Sequence, residues 1–401
     1  MTSDAFPVTF RDLAPQTQQL LAASGQRVAD SLGSLATMLR CLGARSVLLV
    51  VDETAARAAG AETLLRQGFS TVDCLTFNRF SPNPKLTDAT AAVEAARQSG
   101  ADAVVAVGGG SCIDVAKLAA LGARLPAEVG LLQAGDCPTD VRPLPLIACP
   151  TTSGSGSEAT HFAVAYAEGR KRSIAHPGVR PSNVILDARL VQAMPARLAA
   201  TSGLDALSQS LEAMWAAGST PASDAYASEA ARLIVGAIEP SVREGRPDAR
   251  RAMMLGAHLA GQAINLSKTT AAHAMSYPLT SLHGVPHGHA VALFLGWVGA
   301  ANGALDEADC QHPLGAEHVR RAVAAAAAQL GSSVERFPLA VADLLKRLGL
   351  ASSLQEAGVP AHGLATLLDL IDPVRLGNNP RRLSRERLGE ILELAHRGAA
   401  G

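Results

Sequence analysis

Residues 103–122 read AVVAVGGGSCIDVAKLAALG. A run of small and β-branched apolar residues stops at three consecutive glycines, and an apolar stretch with helical spacing begins at once. The pattern is strand, tight turn, helix, and a strand that is apolar at every position is one covered on both faces. The neighbouring segments repeat it. SVLLVVDE (46–53) reads as a second buried strand, AARAAGAETLLRQGF as a helix, and TVDCLTF (71–77) as a strand. LTDATAAVEAARQSG reads as a helix with a threonine or aspartate N-cap and a glycine C-cap, and PLPLIACPTTSGSGSE as a strand running into a second loop of small residues. HFAVAYAEGRKRSIAHP has the alternation of a hairpin, and NVILDARL (183–190) is a last short strand entering a helix. Strands alternating with helices call for a parallel sheet wrapped by helices.

From about residue 195 the chain becomes rich in Ala and Leu at helical spacing and β-branched runs vanish. Gly/Pro punctuation at GSTPAS, EGRPDA and HGVPHGH separates successive helices. We place a domain boundary near 190. The expected fold is an α/β, Rossmann-like dinucleotide-binding domain over 1–190 followed by an all-α domain over 191–401. A length of 401 residues suits two cores better than one, and 48% hydrophobic residues are enough to fill them. The formal net charge of −1, without a basic stripe, argues against nucleic acid as a partner. No apolar run reaches membrane-spanning length, and MTSDAFPVTF lacks the basic and apolar regions of a secretory signal, so a cytoplasmic protein with no membrane partner is expected. The six cysteines (41, 74, 112, 137, 149 and 310) form no CxxC pair, and most of them read as small buried hydrophobes.

Four features carry chemistry. Gly108, Gly109, Gly110 and Ser111 let backbone approach a phosphate at a helix N-terminus, or they serve packing alone. Asp114 either caps that helix or reaches a ribose or nicotinamide group. Thr151, Thr152 and Ser155 line the second loop, which also follows a strand and suits a nucleotide. Asp52 ends an early strand, where an acid accepts from a ribose hydroxyl and disfavours a 2′-phosphate; a plain turn aspartate is the competing reading. Of eleven histidines, four fall between 273 and 289. His273 and His287 sit on adjoining helix termini and can converge on one cation, whereas His283 suits a helix C-terminus. Asp205, on one helical face with Gln209, completes a carboxylate and two imidazoles, with Gln209 where a fourth ligand would stand.

Taken in order, FSPNPKL (80–86), GGGSCIDVAK (108–117), PTTSGSGSE (150–158), GLDAL (203–207), HAMSYPL (273–279), PHGHAVAL (286–293) and NNPRRLS (378–384) resemble the iron-containing (group III) alcohol dehydrogenases across nearly the whole chain. The fold implied is the one shared with dehydroquinate synthase. In that family a divalent metal (Fe2+ or Zn2+) and a nicotinamide (NADH or NADPH) meet in the cleft between two domains. The resemblance implies a pyrophosphate on Gly108–Ser111 and a nucleotide site lined by Thr151, Thr152 and Ser155. It also implies Lys171 near the ribose and Asp52 as the acid linked to NAD preference. Asp205, His273 and His287 match three metal ligands. Gln209 stands where the family usually has histidine, and Tyr277 where it often has another. Gln209 either completes the metal shell as a neutral, weaker ligand or contacts substrate while water fills the gap.

AINLSKTTAAHAMSY (263–277), with GLDALSQ and FSPNPKL, resembles the phosphonoacetaldehyde reductase branch, which turns 2-phosphonoacetaldehyde into 2-hydroxyethylphosphonate in phosphonate biosynthesis. SKTT places the Lys268 amine and three hydroxyls just before a metal ligand, a set that could hold a phosphonate. The competing reading makes Lys268 a surface lysine, and helix-surface roles are expected for Arg375, Arg381 and Arg382. The expected reaction is metal-assisted reduction of a small aldehyde to its alcohol, with Tyr277 among the proton donors and a homodimer as the assembly. A generic short-chain alcohol dehydrogenase and a sulfoacetaldehyde-type reductase are alternatives. A dehydroquinate-synthase-like lyase would bind the same cofactors but recycle its nicotinamide.

Overall fold

In the computed structural model, residues 10–126, 130–132, 141–168 and 170–399 are described; Cys137 lies outside them. The chain divides into two compact units, Met1–Met194 and Pro195–Gly401.

The first unit is built on β1 (Arg27–Ala29), β2 (Ser46–Val51), β3 (Asp73–Phe77), β4 (Ala103–Gly108), β5 (Leu146–Pro150), β6 (Phe162–Ala167), β7 (Arg170–Ala175) and β8 (Asn183–Ile185). Six strands form one parallel sheet in the order β1-β8-β5-β4-β2-β3, and β6 and β7 form an antiparallel hairpin. The continuous apolar runs are explained by burial on both faces. Val47, Leu49, Val105 and Ile147 point into a core with Leu35, Met38 and Leu39. The alternate residues Leu48, Val50, Val104 and Ala148 point into another with Ala92, Ala116 and Ala119.

Three details differ from expectation. The stretch after β2 is two helices, Glu53–Ala58 and Glu62–Gly68, because the chain turns through Gly60 at φ 64°. The helix Leu86–Gln98 has Lys85 rather than a threonine or aspartate at its N-cap, with Asp88 reaching back to accept from the Lys85 amide at 3.1 Å. The short edge strand β1, only three residues long, carries no periodic signal in the sequence.

In the second unit the described elements are helical, with one isolated antiparallel bridge between Cys310 and Arg381. The helices Ala196–Trp215, Pro221–Arg243, Pro247–Ser267, Ala271–His283 and His287–Gly303 are separated at the punctuated segments. Among the described residues no helix is long and apolar enough to cross a membrane.

Candidate active site

The parallel register ends β2, β4 and β5 at one level, with Val51 opposite Val107 and Gly108 opposite Pro150. Asp52, the Gly108–Ser111 turn and the Thr151–Ser155 loop therefore share the carboxyl edge of three adjacent strands, where open α/β sheets bind ligands. The helix Gly110–Gly122 starts in this turn, and its first intrahelical bond runs from the Ile113 amide to the Gly109 carbonyl at 3.1 Å. The earlier amides of Gly110, Ser111 and Cys112 form the helix N-terminus, which favours an anion. The glycines are also required sterically. A Cβ on Gly108 would lie 2.7 Å from Cys112 Sγ, and one on Gly110 2.6 Å from Ser155 Oγ. The amide end of the helix and the close packing are thus properties of one turn.

Asp52 caps the helix after β2, accepting from the Ala55 amide at 3.1 Å. Asp114 does not cap its own helix. It accepts from Ser157 Oγ at 2.6 Å and from the Val164 amide at 3.1 Å. Burial raises its pKa against the pull of the Lys117 charge, and Lys171 is among the other charges acting on it. Lys117 itself was not singled out in the sequence. It is fully buried, donating from Nζ to Thr160 Oγ1 at 3.1 Å and to the Phe162 carbonyl at 2.8 Å. Burial pushes its pKa down to about 8 despite the nearby carboxylates of Asp114 and Glu158.

In the helical unit, the candidate metal-ligating side chains come together. One ligand atom each from Asp205, His273 and His287 lies within 4.8 Å of the others. Their positions follow from local structure. Asp205 and Gln209 are buried on one face of the helix Ala196–Trp215. His273 is the third residue of the helix Ala271–His283, and His287 the first of His287–Gly303, directly after Pro286. Gly288 brings this last helix against the first: a Cβ there would stand 2.0 Å from the Thr201 carbonyl oxygen and 2.7 Å from the Asp205 amide nitrogen.

Sequence reading missed Glu212, although it continues the Asp205–Gln209 face at the i+7 position. It is fully buried. Its Oε1 accepts from the Thr270 amide at 3.2 Å, Thr270 Oγ1 at 2.6 Å and the Ala272 amide at 3.0 Å, so the carboxylate caps the 271–283 helix from outside. Its Oε2 pairs with His273 Nδ1, which turns Nε2 toward Asp205 Oδ1 at 3.3 Å. A carboxylate behind a ligating imidazole fixes ring and tautomer, the usual outer partner of a metal-bound histidine. Burial opposes charge on His273, but the Glu212 charge and the hydrogen bonds to Asp205 and Glu212 outweigh it and raise the pKa to about 10.

His287 stacks on Tyr277, with centroids 5.5 Å apart and planes 9° from parallel, and its Nδ1 lies 3.4 Å from Ser276 Oγ. The Arg375 guanidinium carbon stands 4.7 Å from the centroid of the Tyr277 ring. Tyr277 and Arg375 also line a cavity of about 440 Å³ with Lys268, Thr269, Thr270 and Asn378. Lys268 is thus both exposed and on a cavity wall. Arg375 corrects the helix-surface expectation, since it lines this cavity. Arg381 and Arg382 instead brace the loop before the helix Gly315–Gln329, Arg381 through Asp309 at 2.5 Å and Arg382 through the Ala308 carbonyl at 2.9 Å. His289 is buried against the Ala351 carbonyl at 2.7 Å, and His283 ends its helix.

Comparison with known proteins adds an independent line. Residues 26–188 match the family described as iron-containing alcohol dehydrogenase, and residues 199–396 match the C-terminal region of that family. A phosphonoacetaldehyde reductase of Streptomyces viridochromogenes is 39% identical over 73% of this chain and 75% of its own length. The long-chain-alcohol dehydrogenase 1 of Geobacillus thermodenitrificans is 31% identical over 92% of this chain and 94% of its own. Among solved structures, the sulfoacetaldehyde reductase of Bifidobacterium kashiwanohense in complex with NAD+ superposes with a TM-score of 0.81 at 29% identity, covering 92% of this chain and 96% of that one.

Proposed function

The chain belongs to the iron-containing alcohol dehydrogenase family, and from that premise we propose that it reduces 2-phosphonoacetaldehyde to 2-hydroxyethylphosphonate with NADH and a divalent metal, as a step of phosphonate biosynthesis. The observation that carries the substrate is the cavity holding both Lys268 and Arg375, with Tyr277 joining it to His287. Two cations and the Thr269 hydroxyl suit a small doubly charged oxyanion.

The donor set fits an iron or zinc ion, being one carboxylate and two imidazoles. Asp205, His273 and His287 would hold it, with Gln209 one turn beyond Asp205 as the neutral fourth candidate. When bound, the ion supplies Lewis acidity and the reduced nicotinamide supplies hydride. Glu212 keeps the proton on His273 Nδ1 and so leaves Nε2 as the ligating atom. The Gly108–Ser111 turn receives the cofactor's pyrophosphate and Thr151, Thr152 and Ser155 line its nucleotide. Lys171 and Asp114 lie on the same unit, and Asp52 favours NADH over NADPH. Tyr277 donates the proton that completes the alcohol. The working assembly is a homodimer.

A sulfonate in place of the phosphonate is the second reading, favoured by the likeness to a sulfoacetaldehyde reductase. A panel of phosphonoacetaldehyde, sulfoacetaldehyde and propanal, run with NADH and NADPH on protein of assayed metal content, decides. Phosphonoacetaldehyde should give the highest kcat/KM with net consumption of NADH; a higher value for either rival would reject the substrate. If His287→Ala kept near-normal turnover and metal content, the metal assignment would fall.

A further inference from the structure

Resting on the aldehyde-reductase reading above, we infer that the segment 372–379 is the specificity element for a tetrahedral anion. Arg375 is one cation of a two-point clamp, and Asn378 is the positioning residue for the other cation, Lys268.

Lys268 follows the helix Pro247–Ser267 with φ 62° and ψ 176°. Residues with a Cβ avoid that region, and such conformations persist only where surrounding contacts over-determine them. The Lys268 amide donates to the Ile264 carbonyl at 2.9 Å and its carbonyl accepts from Ser267 Oγ at 3.2 Å, and both flanking carbonyls are held by one further side chain. Asn378 Nδ2 donates to the Ser267 carbonyl at 2.8 Å and to the Thr269 carbonyl at 2.9 Å, bracketing Lys268 on both sides. Asn378 is in turn anchored through Oδ1, which accepts from the Gly218 amide at 3.0 Å, and through its carbonyl, which accepts from the Ala217 amide at 2.9 Å. Position 378 thus joins the local helix-end bonds in setting the direction in which the Lys268 side chain leaves the backbone.

Three residues earlier, Arg375 is held over the Tyr277 ring and lies 3.6 Å from Asp372. A guanidinium carries five N–H donors, so one carboxylate contact leaves donors for a ligand. Both cations and Thr269 line the same cavity. One short segment thus contributes a cation and fixes the other. A neutral aldehyde gains nothing from this pair, whereas an aldehyde carrying a phosphonate or sulfonate gains charge-assisted hydrogen bonds at the end remote from its carbonyl.

The test compares wild type with Arg375→Gln, Lys268→Gly, Asn378→Ala and the Lys268→Gly/Asn378→Ala pair, each checked for metal content and melting temperature. Glycine accepts the backbone of position 268, so Lys268→Gly removes the amine without adding strain. The readout is the ratio of kcat/KM for phosphonoacetaldehyde to that for propanal. Arg375→Gln and Lys268→Gly should each lower the ratio roughly 10- to 100-fold, chiefly through KM for the anion. Asn378→Ala, which removes the two donors without adding charge to the cavity wall, should lower it about tenfold alone and add nothing in the Lys268→Gly background, as expected of a residue acting through Lys268. Independent losses in the pair would overturn the positioning role. If wild type prefers phosphonoacetaldehyde and the single variants keep that preference, the clamp is wrong while the substrate reading stands. If wild type prefers propanal, the substrate reading fails, and inhibition of propanal reduction by ethylphosphonate judges the clamp alone. Inhibition that the variants lose would support it, and a wild type that ethylphosphonate does not inhibit would overturn it.

Discussion

Replacing Glu212 by glutamine changes one atom and should disable the metal site. Oε1 of Glu212 is fixed by three donors, the Thr270 amide and hydroxyl and the Ala272 amide, all within 3.2 Å. The amide oxygen of the variant must take that place, because turning the NH2 group there would set donor against donor at about 1–3 kcal/mol for each bond lost. The NH2 then faces His273 Nδ1, which must accept rather than donate. The ring keeps a single proton, on Nε2, the nitrogen 3.3 Å from Asp205 Oδ1. The ligating atom then holds the neutral ring's only proton, and Nδ1 has no acceptor to carry one in its place when a metal binds, while every side chain keeps its place. Loss of such an outer partner lowers metal affinity roughly 10- to 100-fold, or about 1.4–2.7 kcal/mol. Zinc titration of the metal-free protein by competition calorimetry measures this. A second reading comes from protons. In wild type His273, with its pKa near 10, is fully protonated at pH 7.5, so metal binding should release about one proton there. In Glu212→Gln the carboxylate that raises the pKa is gone, and the release should shrink. An affinity within about threefold of wild type, with unchanged proton release, would refute the role given to Glu212.

Three further outcomes follow from the same geometry. Gln209→His should tighten metal binding about tenfold if Gln209 belongs to the metal shell, since imidazole is the stronger ligand; unchanged affinity by the same titration would remove it. Gly288→Ala places a methyl group against the Thr201 carbonyl and the Asp205 amide, backbone atoms with no rotamer to escape by. It should cost about 1–3 kcal/mol of stability and part His287 from Asp205, read as a lower melting temperature and metal lost on dialysis. Lys117 has a folded pKa near 8 against 10.5 in the unfolded chain, so between these values only the unfolded state holds the proton. Wild type should therefore gain about 3 kcal/mol on Lys117→Met between pH 8 and 10.5 in denaturant unfolding of the N-terminal unit, and parallel curves would contradict the buried amine.

The parallel sheet was legible because its signal is local. Strands buried on both faces leave uninterrupted apolar runs, and the turns after β4 and β5 announce themselves by small residues. The helical unit was legible from its punctuation for the same reason. What escaped was set by tertiary contact or by local options too evenly matched to separate. The capping of the Leu86–Gln98 helix by Asp88 from inside its own first turn is a choice between near-equal local options. The three-residue β1 exists because β8 offers it a partner, Arg27 beside Asn183 and Ala29 beside Ile185, and nothing within RVA demands it.

At the site the division falls between residues that bear distinctive chemistry and residues that act through others. Histidines at helix termini and an aspartate within a helix identify themselves as candidate ligands, and the structure does bring Asp205, His273 and His287 together. Glu212 looked like any glutamate on an Ala-rich helix. Its i+7 spacing from Asp205 is the one local trace of its place, and that spacing alone cannot separate a buried carboxylate from a solvated one. Only the approach of the 271–283 helix, which leaves three amides and a histidine in need of an acceptor, makes a buried charge at 212 tolerable. Arg375 and Asn378 escaped for a related reason. They lie more than a hundred residues from Lys268 in sequence, and their roles depend on a backbone conformation at Lys268 that no composition rule would assign to a lysine. The strain at that residue is the observation that turns an exposed lysine into a directed one. A side chain free to wander would not need two hydrogen bonds from Asn378 to hold the backbone on either side of it.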